Sequence, residues 1–394
     1  LGAVFASALM LTTGCGTPVA AEMSKVVSYT SGNHMNGEIL TSRQGMPIGD
    51  EAVVRVDWRK ELLEPELLEW QPREFTRPAV DDSGHVYVAT RDGYIRCLDS
   101  EGVILWEYKT KGPFYGSVEL DNDKLFVPSA DGALLALDAN DGTLKWSYRA
   151  GEELGSRPVI ANGIVYVASF ADAIFALDEE TGAWKWQYRR DTSAEFTIRG
   201  VATPVVDFDK LFIGFSDGAA VCLDANDGTL KWAKQLSSAQ QFPDADADPQ
   251  LDGQGHVIFA SYASGLFSLD EDTGAIVWAQ SVSGITTMLV DNDTLYTGGQ
   301  GAVSARSIQG GQERWHYKLG DSFCGMPTVA GRYVVFPTTQ ALVFLERKNG
   351  RPHRPFNPGR GVSAPPAFRE GQLFVVSNYG YVYALSLNRP GGKG

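Results

Sequence analysis

The sequence predicts an all-β protein: an eight-bladed β-propeller of four-stranded blades, its ring closed by a strand from the N-terminal side. Three observations predict it. First, from about Asp82 to Leu387 one short unit is written eight times, as in SGHVYVATRDGYIRCLDSEGVILWEY, NDKLFVPSADGALLALDANDGTLKWSY and NGIVYVASFADAIFALDEETGAWKWQY. Second, the Trp after each Gly turn recurs at Trp106, Trp146, Trp186, Trp232, Trp278 and Trp315, in steps of 40, 40, 46, 46 and 37 residues. Third, apolar residues alternate with period two between Gly, Asp and Asn turns, and no run at helical spacing is long enough for a crossover helix. Four short strands in a unit of about 40 residues are the mark of a propeller blade.

The strands of each unit follow in order. Strand A carries Pro near its start, in Arg77–Val80, Arg157–Ile160, Thr203–Val206, Asp248–Leu251 and Met326–Val329. Proline is tolerated at a strand's first residue because little ladder bonding is lost there. Strand B is of the LFVPS or VYVAS type. Strand C ends in Leu-Asp, at Asp99, Asp138, Asp178, Asp224 and Asp270, and strand D carries the Trp. The expected roles are structural: each Trp packs between blades and each Asp caps a C–D turn. The seventh unit is degenerate, with Arg354 where the Trp belongs, and the eighth, QLFVVSNYGYVYALSL, stops after strand C. Its missing strand D is expected from VVRVDWRKEL around Trp58, which would tie the two ends together and remove a sheet edge.

Outside the repeats, four regions are expected: residues 1–14 as the remnant of a signal peptide, 15–51 as a lipidated Cys15 with a flexible tether, 52–389 as the propeller and 390–394 as a tail. The apolar run LGAVFASALMLTTG followed by Cys15 has the character of a signal h-region and cleavage site. Cys15 after Thr12-Thr13-Gly14 is similar to a bacterial lipobox, with Leu11 one residue further out than the usual Leu. Gly16 then points to the outer membrane and its periplasmic face. Residues 17–51, rich in Ser, Thr, Gly and Met, lack strand alternation. The net charge of −14 argues against nucleic acid or an anionic membrane surface as the main partner. Cys97 and Cys222 hold the same place in non-adjacent blades, too far apart to bridge, and with Cys324 they are expected as free thiols.

Several motifs carry no chemistry. Gly214-Phe215-Ser216-Asp217-Gly218 matches G-x-S-x-G, but it aligns with the B–C turns of other blades and precedes a strand, whereas a nucleophile elbow needs a helix. Asp244–Asp248 begins like a calcium loop, yet Pro249 and Gly255 stand where Gly and an acid are required. The five histidines have no metal-binding spacing. Neither a catalytic nor a metal site is expected.

Function in a repeat protein sits where the repeat is broken. The two 46-residue steps make two neighbouring D–A connections each about six residues longer than the others. The first contains SAEFTIRGVATP and the second SSAQQFPDADADP. D–A and B–C connections share one face of a propeller, so both insertions lie there on adjacent blades. They offer Phe196, Ile198 and Arg199 from the first, and Phe242, Asp244 and Asp246 from the second. Apolar and charged residues mixed on loops fit a protein-docking surface, and an internal pairing of Arg199 with Asp244 or Asp246 is the other reading.

The segments ALDANDGTLKW (136–146) and ALDEETGAWKW (176–186) resemble the quinoprotein-type propeller repeat. With a lipobox and eight such units, the chain resembles the BamB family, lipoproteins of the outer-membrane β-barrel assembly machinery. FTIRG (196–200) is similar to that family's Leu-x-Leu-Arg-Gly loop, with Phe and Ile in place of the leucines, and DAD (244–246) to its Asp-x-Asp loop. The resemblance implies a non-catalytic, cofactor-free scaffold, lipid-anchored at Cys15 in the outer membrane. It would dock on the POTRA domains of BamA through Phe196, Ile198, Arg199, Asp244 and Asp246, and assist delivery of unfolded outer-membrane proteins. The segment Lys60–Trp70 has no place in the family pattern. The same repeat also builds periplasmic quinoprotein dehydrogenases, but no Cys-Cys pair and no long pocket-forming insertion is present. A propeller binding another envelope protein is the third reading.

Overall fold

In this computed structural model, which describes residues 49–63, 73–190, 200–239, 241–299 and 301–388, every regular element is a β-strand. Cys15, the expected signal segment and tail, and most of the expected tether lie outside the described residues. Seven antiparallel sheets have four strands in A-B-C-D order. Blade 1, for example, is Ala79–Val80, Val86–Ala89, Tyr94–Leu98 and Ile104–Lys109; blade 4 is Val205–Asp207, Lys210–Gly214, Ala219–Asp224 and Leu230–Gln235. Each strand-A proline stands immediately before its strand. Strands B and C are buried almost throughout, because a neighbouring blade covers each of their faces. The core is accordingly divided among eight apolar layers, one at each junction between consecutive blades.

The expected packing role of the tryptophans holds, with a specific geometry. Each strand-D Trp donates its indole N–H to a carbonyl in the C–D turn of the next blade: Trp106 to Ala139 at 3.0 Å, Trp146 to Glu179 at 2.9 Å, Trp186 to Ala225 at 3.0 Å. Trp232, Trp278 and Trp315 repeat the contact to Glu271, Ile308 and Arg347. A one-residue bulge in the C–D pairing, as between Ala176 and Leu177, precedes the Trp and turns it toward the junction. The indole covers the turn glycine of the next blade so closely that a Cβ on Gly182 would stand 2.5 Å from the Trp146 ring. The glycine also has a φ of 69°, so that both backbone and packing demand it. The Leu-Asp carboxylates cap the same turns: Asp99 Oδ1 accepts from the backbone N–H of Glu101 and Val103.

The ring closes as expected. Val54–Glu61 pairs antiparallel with Tyr381–Leu387 and completes blade 8, and Trp58 donates to the carbonyl oxygen of Ser100 in blade 1 at 2.7 Å. Blade 7 departs from the four-stranded expectation. Its sheet has three strands, and its outer segment is reduced to bridges Leu345–Pro352 and Leu342–Phe356. With Arg354 in place of Trp, the junction from blade 7 to blade 8 lacks the indole contact. The N-terminal chain replaces it. Gly49–Ala52, ahead of the expected boundary at residue 52, pairs in parallel with His353–Arg354. Val53 is buried among Tyr333, Val335, Leu373 and Leu385, and its carbonyl accepts from the Asn388 N–H at 2.8 Å. Cys97, Cys222 and Cys324 are free and buried, and burial pushes each thiol up to about 12.

Candidate functional site

The two lengthened connections follow strands Trp184–Arg189 and Leu230–Gln235 and meet on the face that carries the B–C turns. Phe196, Ile198 and Arg199 lie outside the described residues. The base of the first connection is pinned at its start by Arg190, whose Nε donates to Asp217 in the B–C turn of blade 4 at 2.9 Å. At its end, Gly200 lies against the second connection: a Cβ there would meet Asp246 Oδ2 at 1.7 Å.

The second connection is threaded between two B–C turns by its own backbone. The N–H of Ala245 donates to the Phe215 carbonyl at 3.1 Å, and the Asp244 carbonyl accepts from the Tyr262 N–H at 2.9 Å. Ser261 Oγ donates to the Pro243 carbonyl at 2.9 Å. This threading buries Asp244 completely, whereas Asp246 keeps part of its surface. Burial, then the charge of Asp244, pushes the Asp246 carboxyl up to about 7; burial also raises Asp248, whose Oδ1 accepts from the Thr203 N–H at 2.7 Å. The structure therefore brings Asp244 and Asp246 together beside the end of the first insertion. It places them differently: Asp244 is internal, and Asp246 sits beside Gly200 at the end of the first insertion.

Phe242 takes a φ of 52° and is 40% exposed, its ring 6.2 Å from Tyr262. A second set of aromatics on this face, Phe75 and Tyr115 exposed and Phe170 half-buried, escaped the sequence reading. Phe75, Tyr115 and Phe170, from blades 1 to 3, form a row with ring centroids 6.4 and 6.3 Å apart. It ends beside Gly155, where a Cβ would touch both Phe170 and Val201, the second residue after the first insertion's undescribed part. Phe75 and Tyr115 each stand three residues before the strand-A proline or its counterpart, a register that could have exposed them. At the head of the row, Glu74 is buried and pushed up to about 7 by burial, against the pull of Arg91.

The G-x-S-x-G segment is a B–C hairpin, as expected from the repeat. Gly214 ends a strand, Ala219 begins the next, and Ser216 Oγ donates to Asp172 of blade 3. His85 and His256 lie on the opposite face, capped by Asp81 and Asp252 at 2.8 and 2.7 Å. Among the described residues, no group of His, Cys, Asp and Glu is arranged to hold a metal ion.

Comparison with known proteins bears on the family and the fold. The sequence profile of the family described as "Outer membrane protein assembly factor BamB" matches residues 50–156, 121–317 and 263–353, more than half of the chain. The outer membrane protein assembly factor BamB of Escherichia coli K12 is 26% identical over 200 residues, 48% of this chain and 51% of that one. The chain thus spans about half the length of relatives it matches in sequence. Among solved structures, BamB from Moraxella catarrhalis superposes with a TM-score of 0.73 at 21% identity, covering 85% of this chain and 100% of that one. Quinohemoprotein alcohol dehydrogenase from Comamonas testosteroni gives 0.69 at 15% identity, covering 87% and 78%. These two likenesses concern the fold.

Proposed function

The chain belongs to the BamB family of outer membrane protein assembly factors, and on that premise we propose that it is a non-catalytic scaffold of β-barrel assembly. In this reading it is lipid-anchored through Cys15 on the periplasmic side of the outer membrane. It docks on the POTRA domains of BamA with the face that carries the two insertions, and helps deliver unfolded barrel proteins. The observation that carries the reading is the seam at Gly200 and Asp246, where the described end of the first lengthened connection lies against the second. Within it, Phe196, Ile198 and Arg199 supply contact, Asp246 supplies charge at the edge, and buried Asp244 positions the loop. The row Phe75–Tyr115–Phe170, exposed at Phe75 and Tyr115, extends the same face with apolar area.

The test is binding of the purified chain to the periplasmic domains of BamA. Arg199→Glu is expected to abolish the complex while the melting curve keeps its shape, and Asp246→Asn to weaken the complex. Undiminished binding by both variants would exclude this face. Should quinone cofactor with calcium confer alcohol-oxidising activity, the scaffold reading itself fails.

A further inference from the structure

The innermost strands of neighbouring blades approach one another around an open axis. One part of this channel, about 460 Å³, is bounded by strand A of blades 8, 1 and 2 and by Arg157 of blade 3. A second part, about 220 Å³, is bounded by blades 6 to 8, and Arg77 lines both. From Arg77, at the start of its strand, the larger part runs to Asp81, Asp82 and Asn122 in the A–B turns. It therefore opens on the face opposite the insertions.

The arginines and carboxylates on the wall of the larger part are equal in number, but they do not pair one to one. Glu119 is held by Arg157 at 2.8 Å. Asp82 is taken by Arg369, and Asp291 by Arg347. Asp81 accepts from His85 at 2.8 Å and from the Tyr87 hydroxyl at 3.1 Å. Asp248, across the ring, accepts from Thr203 and feels Arg157. That leaves Arg77. Its backbone N–H donates to Ser117 Oγ at 3.0 Å, but among the described residues its guanidinium has no carboxylate within ion-pair distance. Burial first, and then the neighbouring Arg157 guanidinium, hold its pKa below the usual arginine value, against a smaller pull from Glu119. Two guanidinium groups with one directly paired carboxylate, in a concave and partly desolvated space, form a receptor for an oxyanion.

We propose that the central channel binds a free oxyanion of the phosphate or small-carboxylate class, with the Arg77 guanidinium as principal donor and Arg157 as the second. An oxyanion here offers Arg77 the planar pair of acceptors that its fork geometry matches, and removes the repulsion between the two cations. A lipid headgroup carries the same chemistry. The free ion is favoured because the donors stand inside the ring, walled by the innermost strands, and not on a rim.

The experiment is calorimetric titration of the full chain with inorganic phosphate at constant ionic strength, with chloride as control. Saturable one-site binding is expected, weakened by at least about tenfold in Arg77→Gln, which loses a charge-assisted bidentate contact. Glu119→Gln frees Arg157 from its carboxylate and is expected to tighten binding several-fold, a gain that damage to the fold would not produce. Melting curves confirm that both variants are folded. Absence of saturable binding, or equal binding by Arg77→Gln, overturns the site. Unchanged or weaker binding by Glu119→Gln removes Arg157 from it. Vesicles of phosphatidylglycerol form the last arm: retention that depends on Arg77, without any response to phosphate, overturns the free-ion assignment.

Discussion

The carbonyl oxygen of Ala245 occupies the space that a side chain at Gly214 would fill: a Cβ built on Gly214 stands 1.8 Å from it. The first glycine of G-x-S-x-G is thus present so that the second insertion can lie directly on the end of strand B in blade 4. Gly200 faces a softer obstacle, since what it meets is the Asp246 side chain. A carboxylate can rotate away, whereas the peptide carbonyl of a residue whose own N–H is tied to Phe215 moves only with the backbone.

Gly214→Ala is therefore expected to cost about 1–3 kcal/mol as overpacking against backbone, and Gly200→Ala less. Both should weaken partner binding, because both displace residues 242–246. Chemical denaturation alongside the BamA binding assay checks the order, and a larger loss of stability in Gly200→Ala would contradict it.

The inter-blade indole contact predicts a graded series. Gly182→Ala sets a methyl against the Trp146 ring at a left-handed φ, and about 2–4 kcal/mol of destabilisation is expected. Trp146→Phe keeps an aromatic ring beside Phe126 but loses the donor to the Glu179 carbonyl, with an expected cost of about 1–3 kcal/mol. Urea unfolding of the two variants measures both.

Stability should depend on pH through Asp246 and Glu74. Each has a folded pKa of about 7, raised from the ordinary values of 3.8 and 4.5. Between those ordinary values and 7, the folded protein holds more protons than the unfolded chain, so stability falls as pH rises through that window. The melting temperature is expected to be higher at pH 5.5 than at pH 8. The difference should shrink in Asp246→Asn and further in the double variant with Glu74→Gln. A flat profile in the parent protein would show that these carboxyls titrate normally.

Val53→Asp tests the junction that lacks a tryptophan. The residue is 4% exposed within the apolar layer between blades 7 and 8. An unpaired charge there is expected to cost about 3–5 kcal/mol. Protection of the amides of residues 54–61 from hydrogen exchange should fall before that of blades 2 to 4. Uniform loss across all blades would mean that the ring opens elsewhere.

Much of this architecture was legible because it is local. The Trp spacing, the Leu-Asp turns and the prolines before strand A are repeated one unit after another, and each is governed by chemistry within a few residues. The closing strand around Trp58 was readable because it carries the same pattern as its counterparts. What was not readable depends on contacts between distant loops. Nothing near Asp244 in sequence reveals that threading between Phe215 and Tyr262 buries it, nor does the chain near Gly200 announce Asp246. The parallel pairing of Gly49–Ala52 with His353–Arg354 has no alternation to mark it, since it repairs a defect in another blade. Arg77 looked like one more residue before a proline, and the lack, among the described residues, of a carboxylate paired with its guanidinium emerges only when the channel wall is assembled.

The closing strand also fixes an order of events. Val54–Glu61 leaves the ribosome before any complete blade of the ring exists, yet its partner Tyr381–Leu387 follows all the other described strands of the ring. Blades 1 to 6 can stack as they emerge, since each supplies its own four strands. Blade 8 cannot be completed until synthesis has passed the final repeat, and until then the growing arc presents unpaired edges at both ends. Such edges invite mispairing with other chains. Ring closure is thus the step most exposed to error during biogenesis, and a chain shortened by even its last strand would remain an open arc.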